Sequence, residues 1–98
     1  MDAIDLTSLF SSATKDTIVY LRYRAGHPAG SEAIKEFEAA KDWGKGPDEY
    51  IGHFVELTRN RRKELVLTLF VHNRGETGAL RKFNPSVGRL LEAKILTP

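Results

Sequence analysis

The chain has 98 residues, enough for a single domain with one modest hydrophobic core. Its 41% hydrophobic and 29% charged residues are typical of an ordinary folded domain and exclude a disordered chain, and no apolar run is long enough to cross a membrane. It has no cysteine, which excludes disulfides, thiol nucleophiles and cysteine-bound zinc. Residues 1–9 carry Asp2 and Asp5 where a signal peptide would be basic, so we expect a cytoplasmic protein.

The net charge of +2 is unevenly distributed along the chain. Residues 31–49 contain six acidic residues and three lysines, whereas residues 59–89 contain eight basic residues and two acidic ones. This segregation predicts a positive face on a nearly neutral protein. The alternative is that the basic side chains only keep turns and strand edges soluble.

The first element predicted is an amphipathic helix. Leu6, Leu9, Phe10 and Ala13 have the spacing of one helical face, and Asp2 or Asp5 can cap the helix. We predict about three turns, with the apolar face covering an open end of the domain or, alternatively, binding a partner.

Residues 17–24 are predicted to form the first strand. Alternation places Val19, Leu21 and Tyr23 on one face. The opposite face carries Tyr20, Arg22 and Arg24. Two arginines beside an aromatic ring can bind phosphate and stack a base. The alternative is an exposed face on which the arginine stems pack along the tyrosine.

Residues 31–43 fit two different elements. Ser31 can cap a helix, the alanine, glutamate and lysine content favours one, and Gly44 can end it. In a closed barrel, however, the same residues would have to supply the second strand. We expect Trp43 to pack as a lid over the core, with ligand stacking as the alternative.

The central strand is predicted at residues 64–73, an unbroken apolar run rich in β-branched and aromatic residues. Residues 50–58 precede it as a strand with Ile51, Val55 and Leu57 on one face. The two strands are joined by a basic hairpin tip, which contains Arg59, Arg61, Arg62 and Lys63.

Residues 79–84 are predicted to return antiparallel and complete a meander, with Leu80 and Lys82 opposite Arg81 and Phe83. Residues 84–88 follow as a single helical turn capped by Asn84. Residues 89–96 suit a closing strand, and its predicted apolar face consists of Leu91, Ala93 and Ile95. The alternative for this segment is a helix that starts at Pro85.

This order of elements predicts a mainly β to α+β fold over a single domain, residues 1–98. The predicted form is a small SH3-like or Sm-like antiparallel barrel or curled sheet with an N-terminal helix, plus a second helix if residues 31–43 are helical.

Two strings in the chain resemble WYL domains, which are Sm-like ligand-sensing modules of bacterial transcription regulators and phage-defence systems. Residues 9–26, with the string Leu21-Arg-Tyr-Arg24, are similar to the opening of such domains. The string Arg81-Lys-Phe-Asn84, followed by Arg89, resembles their closing motif. The resemblance implies that Arg81 and Arg89 are basic positions from which such domains bind nucleic acid or nucleotide-like ligands.

Motifs for catalysis are not found. Neither glycine pair around residues 44–46 and 75–78 continues as a phosphate-binding loop, and no serine has a histidine at a suggestive spacing. The three histidines, His27, His53 and His72, lack the i, i+4 spacing of a metal-binding helix. We therefore expect no enzyme activity, no catalytic residues, no metal and no cofactor.

The predicted function is a non-enzymatic binding module that contacts DNA or RNA, or acts in regulation, through its basic face. One alternative is a protein–protein interaction module, such as a phage or mobile-element protein that binds a host factor through residues 32–49 or Trp43. The other is a WYL-like sensor of a nucleotide-type ligand. Homodimerisation through a sheet edge is compatible with the first two. The predicted nucleic-acid-binding residues are Tyr20, Arg22, Arg24, Arg59, Arg61, Arg62, Lys63, Arg74, Arg81, Phe83 and Arg89.

Overall fold

One antiparallel sheet organises the chain in the computed structural model, which describes residues 5–24, 26, 47–73 and 78–97. The elements are α1 (Leu6–Leu9), β1 (Ile18–Arg24), β2 (Asp48–Arg59), β3 (Leu65–Val71), β4 (Ala79–Phe83) and β5 (Arg89–Thr97). The strand order is β4-β3-β2-β1-β5, and every pair is antiparallel. The fold is therefore mainly β, as predicted, and residues 89–97 form a strand rather than a helix.

The sheet is curled but is not closed into a barrel, because β4 and β5 form its two edges. The choice between helix and strand at residues 31–43 lies outside the described residues, as do Trp43 and Arg74. Within the described ranges, no helix is long and apolar enough to cross a membrane.

The first and third strands carry most of the core. In β1, Val19, Leu21 and Tyr23 are buried, which confirms the predicted alternation. In β3 the residues from Val66 to Leu69 are buried on both faces of the sheet. Burial on both faces explains why this strand is an unbroken apolar run rather than an alternating one.

The predicted core face of β2 is wrong. Tyr50 and Gly52 are buried and Phe54 packs against the core, so that of Ile51, Val55 and Leu57, which were predicted to share a face, only Leu57 lies on the core side. The register shifts after Phe54, so Val55 is an extra residue in the strand, and Leu57 returns to the core side. A bulge of this kind reverses the alternation, and no pattern of period two can locate it.

A second bulge changes the predicted core face of β5. Glu92 pairs with Arg22 and Leu90 pairs with Tyr23, so that Leu91 has no partner across the strand. Leu90, rather than the predicted Leu91, packs against the core beside Ala93 and Ile95.

The opening helix is a single turn, not three. Asp5, one of the two predicted caps, caps the helix by accepting a hydrogen bond from the Ser8 backbone N–H at 3.2 Å. Leu6 and Phe10 are buried, and the Phe10 ring stacks on Phe54 with ring centres 5.5 Å apart. The helix ends early because serines follow it, and serine competes with the helical backbone for hydrogen bonds.

The curl of the sheet brings β4 against β1, although two strands lie between them. The Phe83 ring lies edge-on to Tyr50 at 4.9 Å and to Tyr23 at 5.2 Å. The Tyr23 hydroxyl donates to the Asn84 carbonyl at 3.0 Å, and the backbone N–H groups of Val87 and Gly88 donate to the same oxygen. Asn84 is fully buried and also caps the predicted turn, since its Oδ1 accepts from the Ser86 N–H.

Gly52 generates a stability prediction. A Cβ at this position would lie 2.3 Å from the Phe70 carbonyl oxygen, so an alanine must push β2 away from β3. We expect Gly52→Ala to lower the free energy of unfolding by about 1–3 kcal/mol in urea denaturation. The control is Thr58→Ala on the exposed end of β2, which should change it by no more than about 0.5 kcal/mol. Equal stability of the two variants would contradict the close approach of the strands.

Candidate nucleic-acid interface

The tip of the β2–β3 hairpin is held in one shape by Asn60. Its backbone N–H donates to the Glu64 carbonyl at 3.0 Å, and its carbonyl accepts from the Lys63 N–H at 2.9 Å. Its side-chain Oδ1 accepts from the N–H groups of Arg62 and Glu64 at 2.9 and 3.0 Å. The loop also places Lys63 in the left-handed region, at a φ of 63°. Asn60 thus presents the tip as a fixed platform rather than a flexible loop.

Basic side chains cover this platform. Arg61, Arg62 and Lys63 are exposed, as predicted. Arg59 is also exposed, and its Nη1 donates to the Lys63 carbonyl at 2.6 Å, which fixes the guanidinium against the turn. Four cations in five residues create a strong local positive potential.

The one acidic residue of the tip, Glu64, faces inward. Its Oε1 accepts from Asn60 Nδ2 at 3.1 Å and from Asn84 Nδ2 at 3.2 Å. These two hydrogen bonds, that from Asn60 first, hold the pKa of Glu64 below its ordinary value of 4.5. The carboxylate therefore braces the tip against Asn84, and the positive charge of Arg62 contributes to the lowered pKa.

A cleft of about 270 Å³ opens beside the tip. Its cations are Arg59 and Lys63, and Leu6, Leu65 and Pro85 supply apolar surface. The volume is at the lower end for small-molecule sites, so it suits one group of a longer ligand better than a whole enclosed molecule. The residues that line it are Leu6, Arg59, Lys63, Glu64, Leu65, Pro85 and Ser86.

A second pair of arginines lies near the same turn. Arg24 and Arg89 are exposed and directly opposite one another at the ends of β1 and β5. Like charges in this position repel, and a bound anion would relieve the repulsion. Asn84 contacts both Glu64 at the tip and Tyr23 beside Arg24, so both groups of cations flank residues 84–88. We call these residues the basic rim: Arg24, Arg59, Arg61, Arg62, Lys63 and Arg89.

The outer face of β1 is less available to a ligand than was predicted. Tyr20, Arg22 and Arg24 do share this face, but the Tyr20 hydroxyl donates to Glu49 at 2.5 Å, which raises the pKa of Tyr20 to about 12. The Lys94 ammonium lies 5.0 Å from the centre of the Tyr20 ring and occupies one of its faces. Arg22 pairs across the sheet with Glu49 on one side and Glu92 on the other. The middle of this face is therefore balanced in charge.

Two of the predicted contact residues lie on the core side of the sheet. Phe83 is only 3% exposed and packs against Tyr23 and Tyr50, so its predicted role as a stacking surface is wrong. Arg81 is half-buried, with its guanidinium carbon 5.8 Å from the centre of the Tyr50 ring. Their alternation with Leu80 and Lys82 was predicted, but their position on the core side of the curled sheet was not.

Two features of the structure were not predicted from the sequence: the role of Asn60, on which the tip depends, and the approach of His53 to His72. The sequence does carry a signal for Asn60, because asparagine favours turns and hydrogen-bonds its own backbone. The second has none, since two residues on different strands meet only through the register.

Comparison of the chain with known protein families, characterised proteins and solved structures gives no match. The resemblance of the two strings to WYL domains therefore stays a prediction.

Glu64 yields a pH-dependent prediction. Because its pKa is lowered by folding, Glu64 contributes stability above its unfolded value of 4.5, and this contribution is lost as the pH falls through 4.5 towards the folded pKa. Glu64→Gln removes the ionisation, so the Tm difference between the native protein and this variant should shrink from pH 7 to pH 3. Glu56→Gln, at an exposed position of β2, is the control. A Tm difference for Glu64→Gln that is constant over this range would contradict the bracing role.

Proposed function

We propose that the protein is a non-enzymatic nucleic-acid-binding domain that holds the sugar–phosphate backbone of single-stranded DNA or RNA with its basic rim. The observation that carries the proposal is the fixed hairpin tip, in which Asn60 orders the loop and Glu64 is turned inward. The four basic side chains of the tip are exposed to solvent, while the Glu64 carboxylate accepts hydrogen bonds from Asn60 and Asn84.

The chemistry of the rim suits phosphates rather than base edges. Arginine presents a planar fork of donors that matches phosphate oxygens, and lysine adds a point charge. The cleft beside the tip can seat one sugar or base, with Leu65 and Pro85 as apolar surface. With Phe83 in the core and Tyr20 engaged by Glu49 and Lys94, stacking on the wall of the sheet contributes little. Binding is then driven by charge and nearly independent of sequence.

Binding of this kind depends on salt. Displacement of counterions from about four phosphates by the four tip cations gives a slope of about −3 in a plot of log affinity against log salt for a single strand. Fluorescence anisotropy with labelled single-stranded oligonucleotides measures both the affinity and this slope.

The decisive variant reverses two charges at the tip. Arg61→Glu with Arg62→Glu should weaken binding at 50 mM salt by at least about tenfold and make the salt slope shallower by about 1.4. The matched control, Lys82→Glu with Lys94→Glu, changes the net charge equally at exposed positions outside the basic rim and should weaken binding by less than about threefold. Equal losses in the two double variants, or no binding by the native protein at low salt, would contradict the proposal.

A second candidate function, protein–protein interaction, is favoured by exposed apolar side chains on the outer face of the sheet. Phe70 and Leu80 are directly opposite one another on β3 and β4 and are 37% and 65% exposed. Leu96 on β5 is 46% exposed. Neighbouring exposed apolar side chains in a small domain are typical of contact surfaces.

This second candidate predicts a partner that depends on the apolar pair. Phe70→Ser with Leu80→Ser should abolish the stoichiometric capture of one protein from a nuclease-treated lysate, whereas Arg61→Glu with Arg62→Glu should leave it unchanged. Circular dichroism of both variants checks that they fold. Capture that is lost on nuclease treatment, or that survives in the serine variant, would contradict a role for this pair.

A further inference from the structure

We propose that His53 and His72 form a binding site for a divalent transition-metal ion such as Zn²⁺, Cu²⁺ or Ni²⁺. The two imidazoles lie on the outer face of the sheet, and His53 Nδ1 is in direct contact with His72 Nε2. No metal-binding spacing along the chain brings them together. The register of β2 against β3 does so.

The backbone around the pair is firmly held. His53 pairs with Phe70, and the N–H of His72 donates to the Ile51 carbonyl at 2.8 Å, which makes the two histidines diagonal neighbours across the strands. The next residue, Asn73, fastens the end of β3 to β2. Its Oδ1 accepts from the Ile51 N–H and its Nδ2 donates to the Glu49 carbonyl, both at 2.9 Å. The two Cα positions are therefore set before any ion binds.

The rings are restrained by aromatic packing. The His53 and His72 rings meet edge-on with centres 4.6 Å apart, and the Phe70 ring lies against His72 at 5.4 Å. The pair is partly exposed, so an ion can reach it from solvent. Restrained ligands lose less conformational entropy when an ion binds.

The two facing nitrogens explain why a metal ion suits this pair. In the neutral pair, one nitrogen donates the shared proton and the other accepts it. When the donor ring takes its other tautomer, both facing nitrogens offer a lone pair to the same point. A tetrahedral ion bound to both at about 2.0–2.1 Å needs the nitrogens to be about 3.3 Å apart, so the two nitrogens separate from their present contact when the ion binds.

The ligand set defines the kind of ion and of site. Imidazole favours Zn²⁺, Cu²⁺ and Ni²⁺, whereas Mg²⁺ and Ca²⁺ require oxygen ligands. No group of three or more histidine, cysteine or acidic side chains converges anywhere in the described part of the chain. Two protein ligands leave the remaining coordination positions to water, so the ion is exchangeable, unlike one in a closed four-ligand structural site. The pair lies at the opposite end of β3 from the hairpin tip, so the site does not rest on the proposed nucleic-acid binding.

The test is a titration of the full chain with Zn²⁺ that is monitored by isothermal calorimetry and by NMR of the histidine ring protons. We expect one equivalent of Zn²⁺ to bind and to shift the ring signals of two of the three histidines. Mg²⁺ should have no effect. By the general order of divalent metal affinities, Cu²⁺ should bind more tightly than Zn²⁺.

The variants His53→Gln and His72→Gln should each lower the Zn²⁺ affinity by at least about tenfold, because each removes one of two ligands. The matched control is His27→Gln, which removes the third histidine of the chain and should leave the affinity unchanged. Thermal unfolding without metal shows that each variant folds. The proposal is overturned if the native protein binds no Zn²⁺ at millimolar concentration, if either variant binds it as the native protein does, or if His27→Gln abolishes binding.

Discussion

The curl of the sheet depends on one buried residue, Asn84. Its carbonyl oxygen accepts the Tyr23 hydroxyl from β1, and its side chain donates to Glu64 at the hairpin tip. The contact with Tyr23 joins β1 to the end of β4, and the strand order keeps these two strands apart. A polar residue with no exposed surface is costly to bury unless its hydrogen bonds are made, and the hydrogen bond from the Tyr23 hydroxyl to Asn84 is made only in the curled form. The asparagine therefore favours the curled sheet over a flat one, while the rings of Phe83, Tyr23 and Tyr50 fill the space that the curl encloses.

The same curl decides which basic side chains can act together. It places the tip cations and the Arg24–Arg89 pair on either side of residues 84–88, and it turns Arg81 towards the Tyr50 ring. The tip itself is independent of the curl in shape, because Asn60 organises it locally. A platform that is ordered before binding loses little entropy on contact with a phosphate backbone. The proposed function therefore rests on a local turn, and the extent of the surface rests on the tertiary fold.

The outer face of the sheet combines features that no single strand contains. The exposed Phe70 and Leu80 meet because β3 and β4 are in register, and His53 meets His72 because β2 and β3 are. Phe70 connects the two groups by packing against the His72 ring. The proposed metal site and the apolar pair thus lie next to one another, and both lie on the opposite face from the core. A partner on this surface would contact the histidines as well as the apolar side chains.

The amino-acid sequence by itself determined the elements that local chemistry specifies: the five strands, the cap at Asp5, the turn at Asn84 and the basic hairpin tip. It also determined the two faces of β1, whereas in β4 it gave the alternation but not the side that is buried. Only the tertiary structure decided the core face of β2, since the bulge at Val55 arises from pairing with β3 and reverses the alternation. Tertiary structure likewise buried Phe83 and brought His53 to His72. The physical reason is that hydrogen bonds between neighbouring residues can be recognised from the residue types at those positions. The register and curl of a sheet instead depend on contacts between residues far apart in the chain.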